Sequence, residues 1–93
     1  MLTLPIKKKW FDMIKSGEKK EEYREIKPYY DSRFKNYNWA YPFEVMFRNG
    51  YGNDKPTIKC EVKLKTDFGF SKWGASIGEV YYVLEILSVE EVK

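Results

Sequence analysis

The hydrophobic period changes at Gly17, and that change limits the fold more than any other feature of the chain. Before it, Leu2, Leu4 and Ile6 alternate as a short strand, with Pro5 suited to a sheet edge. From Lys7 to Ser16 the spacing is helical: Trp10, Met13 and Ile14 fall at i, i+3 and i+4, and Phe11 widens the stripe. Gly17 stands where a glycine ends a helix. Beyond it, Glu18 to Ile26 reads as a strand closed off by Lys27-Pro28, and Pro28 opens a short helix to about Phe34. Phe43 to Arg48 alternates, and Asn49-Gly50 marks a turn. Thr57 to Thr66 is the cleanest strand, with Ile58, Cys60, Val62 and Leu64 on one face and Lys59, Glu61, Lys63 and Lys65 on the other. Phe68 to Gly78, rich in glycine and aromatics, reads as a loop with room for one helical turn. The mostly apolar run from Glu79 to Val89 predicts a strand buried on both faces or central in its sheet.

Helices thus gather near the N-terminus and strands follow, which predicts an α+β fold. A curled sheet or small β-barrel of about five to six strands, with one or two short helices, lets a chain this short hide its edges. With 93 residues the chain predicts one domain, 1–93. Aromatics make up 18% of it and build a core economically, and they are also the side chains that stack on bases.

The formal charge is +3, from 17 basic and 14 acidic residues, which permits a basic patch without demanding a nucleic-acid partner. There is one cysteine, Cys60, so no internal disulfide partner exists, and Cys60 reads as core. With no histidine, a Cys/His zinc site and a Ser-His-Asp triad are excluded, and acid–base work would fall to Lys, Glu, Asp or Tyr. No apolar run reaches the roughly 18 residues of a membrane span, and basic residues follow the short apolar start instead of a signal-peptide core. The expectation is a cytoplasmic protein with no membrane partner, metal or cofactor.

The candidate for chemistry is the charged stretch Gly17 to Arg24, G-E-K-K-E-E-Y-R. Charged Lys19 and Arg24 can hold a phosphate while Glu22 accepts from a base amino group. A desolvated Lys19 beside Arg24 would instead have its pKa lowered, as a base or nucleophile requires. The bland alternative is a solvated strand with weak ion pairs. Strand alternation puts Lys19 and Glu22 on opposite faces, so they converge only if Lys19 sits in the turn after Gly17 or a bulge intervenes.

Gly17, Lys19, Glu22 and Arg24 form G-x-K-x-x-E-x-R, which resembles the signature of the ASCH domain, a branch of the PUA-like β-barrels. The preceding strand and the helix ending in Ser16-Gly17 resemble the family too, as does the closing Y-Y-V-L-E-I. The resemblance covers residues 2–26 and 80–87. It implies a small PUA-like barrel whose signature residues line a cleft that binds RNA, a nucleotide or a modified nucleoside. Some members of the family look like amidohydrolases acting on acetylcytidine. There the signature lysine works with a threonine three residues later and a glutamate on an inserted helix. Here Lys19 keeps the first place, Glu22 replaces the threonine, and the span from Thr66 to Glu79 is short for that helix.

Further candidates for the cleft are Arg48 and Tyr51, which flank the Asn49-Gly50 turn, and Ser71, Lys72 and Trp73 in the glycine-rich loop, with Trp73 either a stacking platform or a core cap. Lys59, Lys63 and Lys65 form a basic stripe that suits a phosphate backbone or mere solubility. The expected function is RNA or nucleotide binding through Lys19, Glu22, Arg24, Arg48, Ser71, Lys72 and Trp73. The alternatives are a metal-independent amidohydrolase on an acylated nucleoside, with Lys19 and Glu22 catalytic, and a protein-interaction module of phage or mobile-element type built on the aromatic segment 29–43.

Overall fold

The structure, a computed structural model, describes residues 1–92. In chain order the elements are β1 (Leu2–Ile6), α1 (Lys8–Lys15), β2 (Glu21–Glu25), α2 (Pro28–Phe34), β3 (Phe43–Asn49), β4 (Thr57–Phe68), a single 3-10 turn (Ser71–Trp73) and β5 (Val80–Glu91). The five strands form one mixed sheet in the order β1-β3-β4-β5-β2, with β1 parallel to β3 and the other pairs antiparallel. The fold is α+β, and the sheet curls into a half-barrel.

The curl has a visible origin in the β4–β5 ladder. Glu61 pairs with Ser88 but Val62 pairs with Ile86, so β5 carries one extra residue, Leu87. A bulge of this kind bends the strand and increases its twist. Inside the curl lies the main core. Val45 and Phe47 of β3, Ile58, Cys60, Val62 and Leu64 of β4, and Leu84 of β5 meet Phe11 and Ile14 of α1 and Phe34 of α2. The helical stripe is therefore centred on Phe11 and Ile14, with Trp10 and Met13 half-buried beside it. At the end of α1, Gly17 takes φ +86°, its N–H donates to Ile14 O, and Lys19 N–H donates to Met13 O. That tight exit turns the chain back towards the sheet.

β4, not β5, is the central strand. Four consecutive residues of β5, Tyr81 to Leu84, are nevertheless buried, so both faces are covered there, while Leu87 to Glu91 are exposed. Tyr82 and Leu84 point into the main core, and Tyr81 and Val83 join Ala75 and Tyr23 in a smaller cluster on the other face. The loop after β4 makes this second layer. A Cβ on Gly69 would meet the Tyr23 ring at 2.7 Å and Ala75 Cβ at 2.6 Å, so only glycine lets the loop lie this close.

β1 and β2 are the two edges of the sheet, and the curl brings them face to face. A side chain, not a ladder, ties them: Arg24 of β2 donates from Nη2 to the carbonyl of Pro5 in β1 at 3.0 Å. Pro5 has no N–H to offer a neighbouring strand, which fits its edge position. Among the described residues no helix is long and apolar enough to cross a membrane.

Candidate ligand-binding site

The seam between β1 and β2 is where Lys19, Glu22 and Arg24 meet. Lys19 lies before β2 begins, in the turn that follows Gly17, so strand alternation does not govern it. Its side chain reaches Glu22, with Nζ 3.3 Å from Oε1. On the far side of Glu22, Arg24 Nη2 donates to Oε2 at 2.8 Å. The three groups thus form a line with one carboxylate between two cations.

Burial makes this arrangement unusual. Lys19 is 1% exposed and Glu22 6%. An uncompensated buried charge would be prohibitive, and each one here is compensated. Lys19 Nζ donates to the Trp73 carbonyl at 2.6 Å and lies over the rings of Trp10 at 4.7 Å and Tyr23 at 4.9 Å. Arg24 Nη1 donates to Tyr30 Oη at 3.1 Å, and Nη2 holds both Glu22 and the Pro5 carbonyl. Arg24 Nε is buried without a hydrogen-bond partner. Burial pulls the Lys19 pKa below the ordinary lysine value, against the pull of Glu22. At Arg24 burial also works against the charge, but Glu22 and Tyr30 outweigh it and hold the guanidinium more firmly protonated than usual.

Beside this line opens a cavity of about 500 Å³, within the range of small-molecule sites. Glu22, Arg24 and Glu25 supply charged lining, and Trp10, Tyr23, Tyr30, Tyr51 and Tyr81 its aromatic walls. Lys7, at the end of β1, stands exposed at the rim. Tyr23 is fixed in its wall: Oη donates to Glu21 Oε1 at 2.8 Å and accepts from the Phe70 N–H at 2.9 Å. Burial raises its pKa, so the phenol stays neutral. The loop after β3 brings Gly50 and Tyr51 over the opposite lip, where Tyr51 is 83% exposed.

The other residues singled out from sequence lie elsewhere. Trp73 is buried and contributes its carbonyl to Lys19. Ser71 is exposed and accepts the Gly74 N–H through its own carbonyl. Lys72 Nζ sits 4.7 Å from the centre of the Trp73 ring. Arg48 is half-buried on β3, in register with Pro5. None of these four lines the cavity, and neither does Lys19, which bears on it through Glu22. The lysine stripe of β4 is largely neutralised: Lys59 pairs with Glu44 and Glu90, and Lys65 with Glu21, Asp67 and Glu85. In the aromatic segment 29–43, Tyr29, Trp39 and Tyr41 are exposed, whereas Tyr30, Tyr37 and Phe43 are half-buried and Phe34 is core.

Sequence reasoning missed most of the cavity walls. Tyr81 lies far along the chain from Gly17 to Arg24, and Trp10 and Tyr30 sit on the two flanking helices, so only the tertiary fold assembles them. Tyr51, singled out beside the Asn49-Gly50 turn, does line the cavity, and Tyr23 lies within the charged stretch itself.

Comparisons with protein families, with curated proteins and with solved structures return no match to this chain.

Proposed function

We propose that this cleft binds a nucleobase-bearing ligand, RNA or a nucleotide, without catalysing a reaction on it. The observation that carries the reading is Glu22, a carboxylate held between two cations at the base of an aromatic-walled cavity. Clamped from both sides, Glu22 stays in one rotamer with lone pairs left to accept from a base amino group, beside the donor face of Arg24. The tyrosine and tryptophan walls suit the flat face of a base. In the cavity lining Lys7 and Arg24 balance Glu22 and Glu25, and Lys19 behind Glu22 adds one positive charge, which suits a ligand carrying phosphate. The resemblance to the ASCH signature and to a PUA-like barrel supports the same reading.

The test is titration with single-stranded and with structured RNA at two salt concentrations. Affinity should fall as salt rises. Tyr51→Ala, at an exposed position, should weaken binding by roughly tenfold, the loss of one stacked base. Arg24→Lys keeps the charge but loses the planar fork, and should weaken it further. Salt-independent binding, or affinity unchanged in both variants, would sink the proposal.

A second reading rests on one observation, the lowered pKa of Lys19 next to Glu22. Such a lysine suits an amidohydrolase acting on an acylated nucleoside. Against it, Nζ is enclosed and committed to the Trp73 carbonyl. Incubation with acetylcytidine decides the matter: the binding proposal expects no more acetate than a Lys19→Met control releases.

A further inference from the structure

A second cavity, of about 390 Å³, adjoins the first. Pro5, Arg24, Tyr30 and Tyr51 line both. Arg24, bonded to Pro5 O and Tyr30 Oη, forms the partition between them, and Tyr51 stands at their common mouth. The two halves differ chemically. The first holds Glu22, Glu25 and most of the aromatic wall. The second has no acidic residue in its lining and adds Lys27 and Tyr29, both exposed. Among the described residues Glu25 is the carboxylate that pairs with Lys27, at 3.6 Å, with both side chains about half or more in solvent. Such a pair is weak and readily exchanged for another anion. Arg33 adds a cation 4.3 Å from the centre of the Tyr29 ring.

We propose that the two cavities are adjacent subsites for two nucleotides joined by a phosphodiester, with the first base over Glu22, the linking phosphate at Lys27, and the second base on Tyr29. This rests on the reading of the first cavity given above and extends it. A cationic partition at Arg24 and a second lining that holds Lys27 and no carboxylate match a strand that leaves the first pocket with its negative charge. A lone base would need only the first half. The phosphodiester step is common to RNA and single-stranded DNA.

The experiment compares 5′-mononucleotides with the matching dinucleotides, ribo and deoxyribo, by calorimetric titration of the intact protein. Dinucleotides of at least one sugar type should bind roughly tenfold to a hundredfold tighter than their own mononucleotides, the range expected for one added stacked base. The sugar type that shows the larger gain names the source. Lys27→Ala combined with Tyr29→Ala should bring the dinucleotide down to mononucleotide affinity, and thermal melting should show the variant folded, because both side chains are exposed. Equal affinity for mono- and dinucleotides, or an unaffected double variant, overturns the second subsite and leaves the first reading standing. If neither mono- nor dinucleotides bind, both readings fall.

Discussion

Glu22 is the residue on which the site depends. Its two oxygens separate two cations that would otherwise face each other in a nearly dry environment. Glu22→Gln leaves Lys19 and Arg24 both charged and without a counterion. Removing one partner of a buried ion pair costs about 3–5 kcal/mol, so urea denaturation should show a loss of that order. Cys60 supplies a different measurement. Its thiol, fully enclosed in the core, is pushed up to about 12 from the ordinary 9.0 by burial. Between those values the unfolded chain releases the proton and the folded chain keeps it. The contribution is therefore intact below about pH 9 and declines as pH rises towards 12. Denaturation of wild type and Cys60→Val across pH 8 to 11 should show the wild type losing stability relative to the variant as pH increases. Cys60 should also resist thiol reagents until denaturant is added, since an enclosed, protonated thiol is a poor nucleophile.

At the scale of elements, α2 is anchored in the core chiefly by one residue. Phe34 is its only buried side chain and packs edge-on against Tyr82, with ring centres 5.0 Å apart. Phe34→Ala should cost about 3–5 kcal/mol in chemical denaturation, as for other core aromatics. Its effect should reach the site, because Tyr30, one turn earlier on the same helix, holds Arg24 by hydrogen bond. α2 itself was legible: Pro28 at its start and the run to Phe34 gave both ends. The strands were legible to within a few residues, because alternation follows directly from the pleat. β2 was the hardest, since Glu, Lys and Arg favour a strand only weakly. Pairing with β5 makes it one, and its first residues, Glu18 to Lys20, stay outside the strand.

On the scale of the whole molecule, the half-barrel is held shut by one arginine. β1 and β2 lie at opposite ends of the strand order, and Arg24 Nη2 to Pro5 O is the described hydrogen bond that joins them. Central β4, paired on both sides, should hold the slowest-exchanging amides. Hydrogen exchange of Arg24→Gln should quicken in both β1 and β2 while β4 keeps its protection. Equal acceleration everywhere would mean that the arginine supports global stability and not the seam.

The amino-acid sequence by itself determined the local elements, the helix stop at Gly17 and the inward face of β4, because each follows from a residue and its near neighbours. It also singled out Lys19, Glu22 and Arg24, while leaving open whether they could meet. Tertiary structure decided that. The turn after Gly17 takes Lys19 out of strand alternation, and the bulged sheet curls until β1 faces β2. That curl places the walls Trp10, Tyr30, Tyr51 and Tyr81 around Glu22 and Arg24. Arg48, Ser71, Lys72 and Trp73 have the right chemistry but lie outside the cavity, for the same physical reason: a site is a set of distances, and long-range distances are set by how the sheet closes.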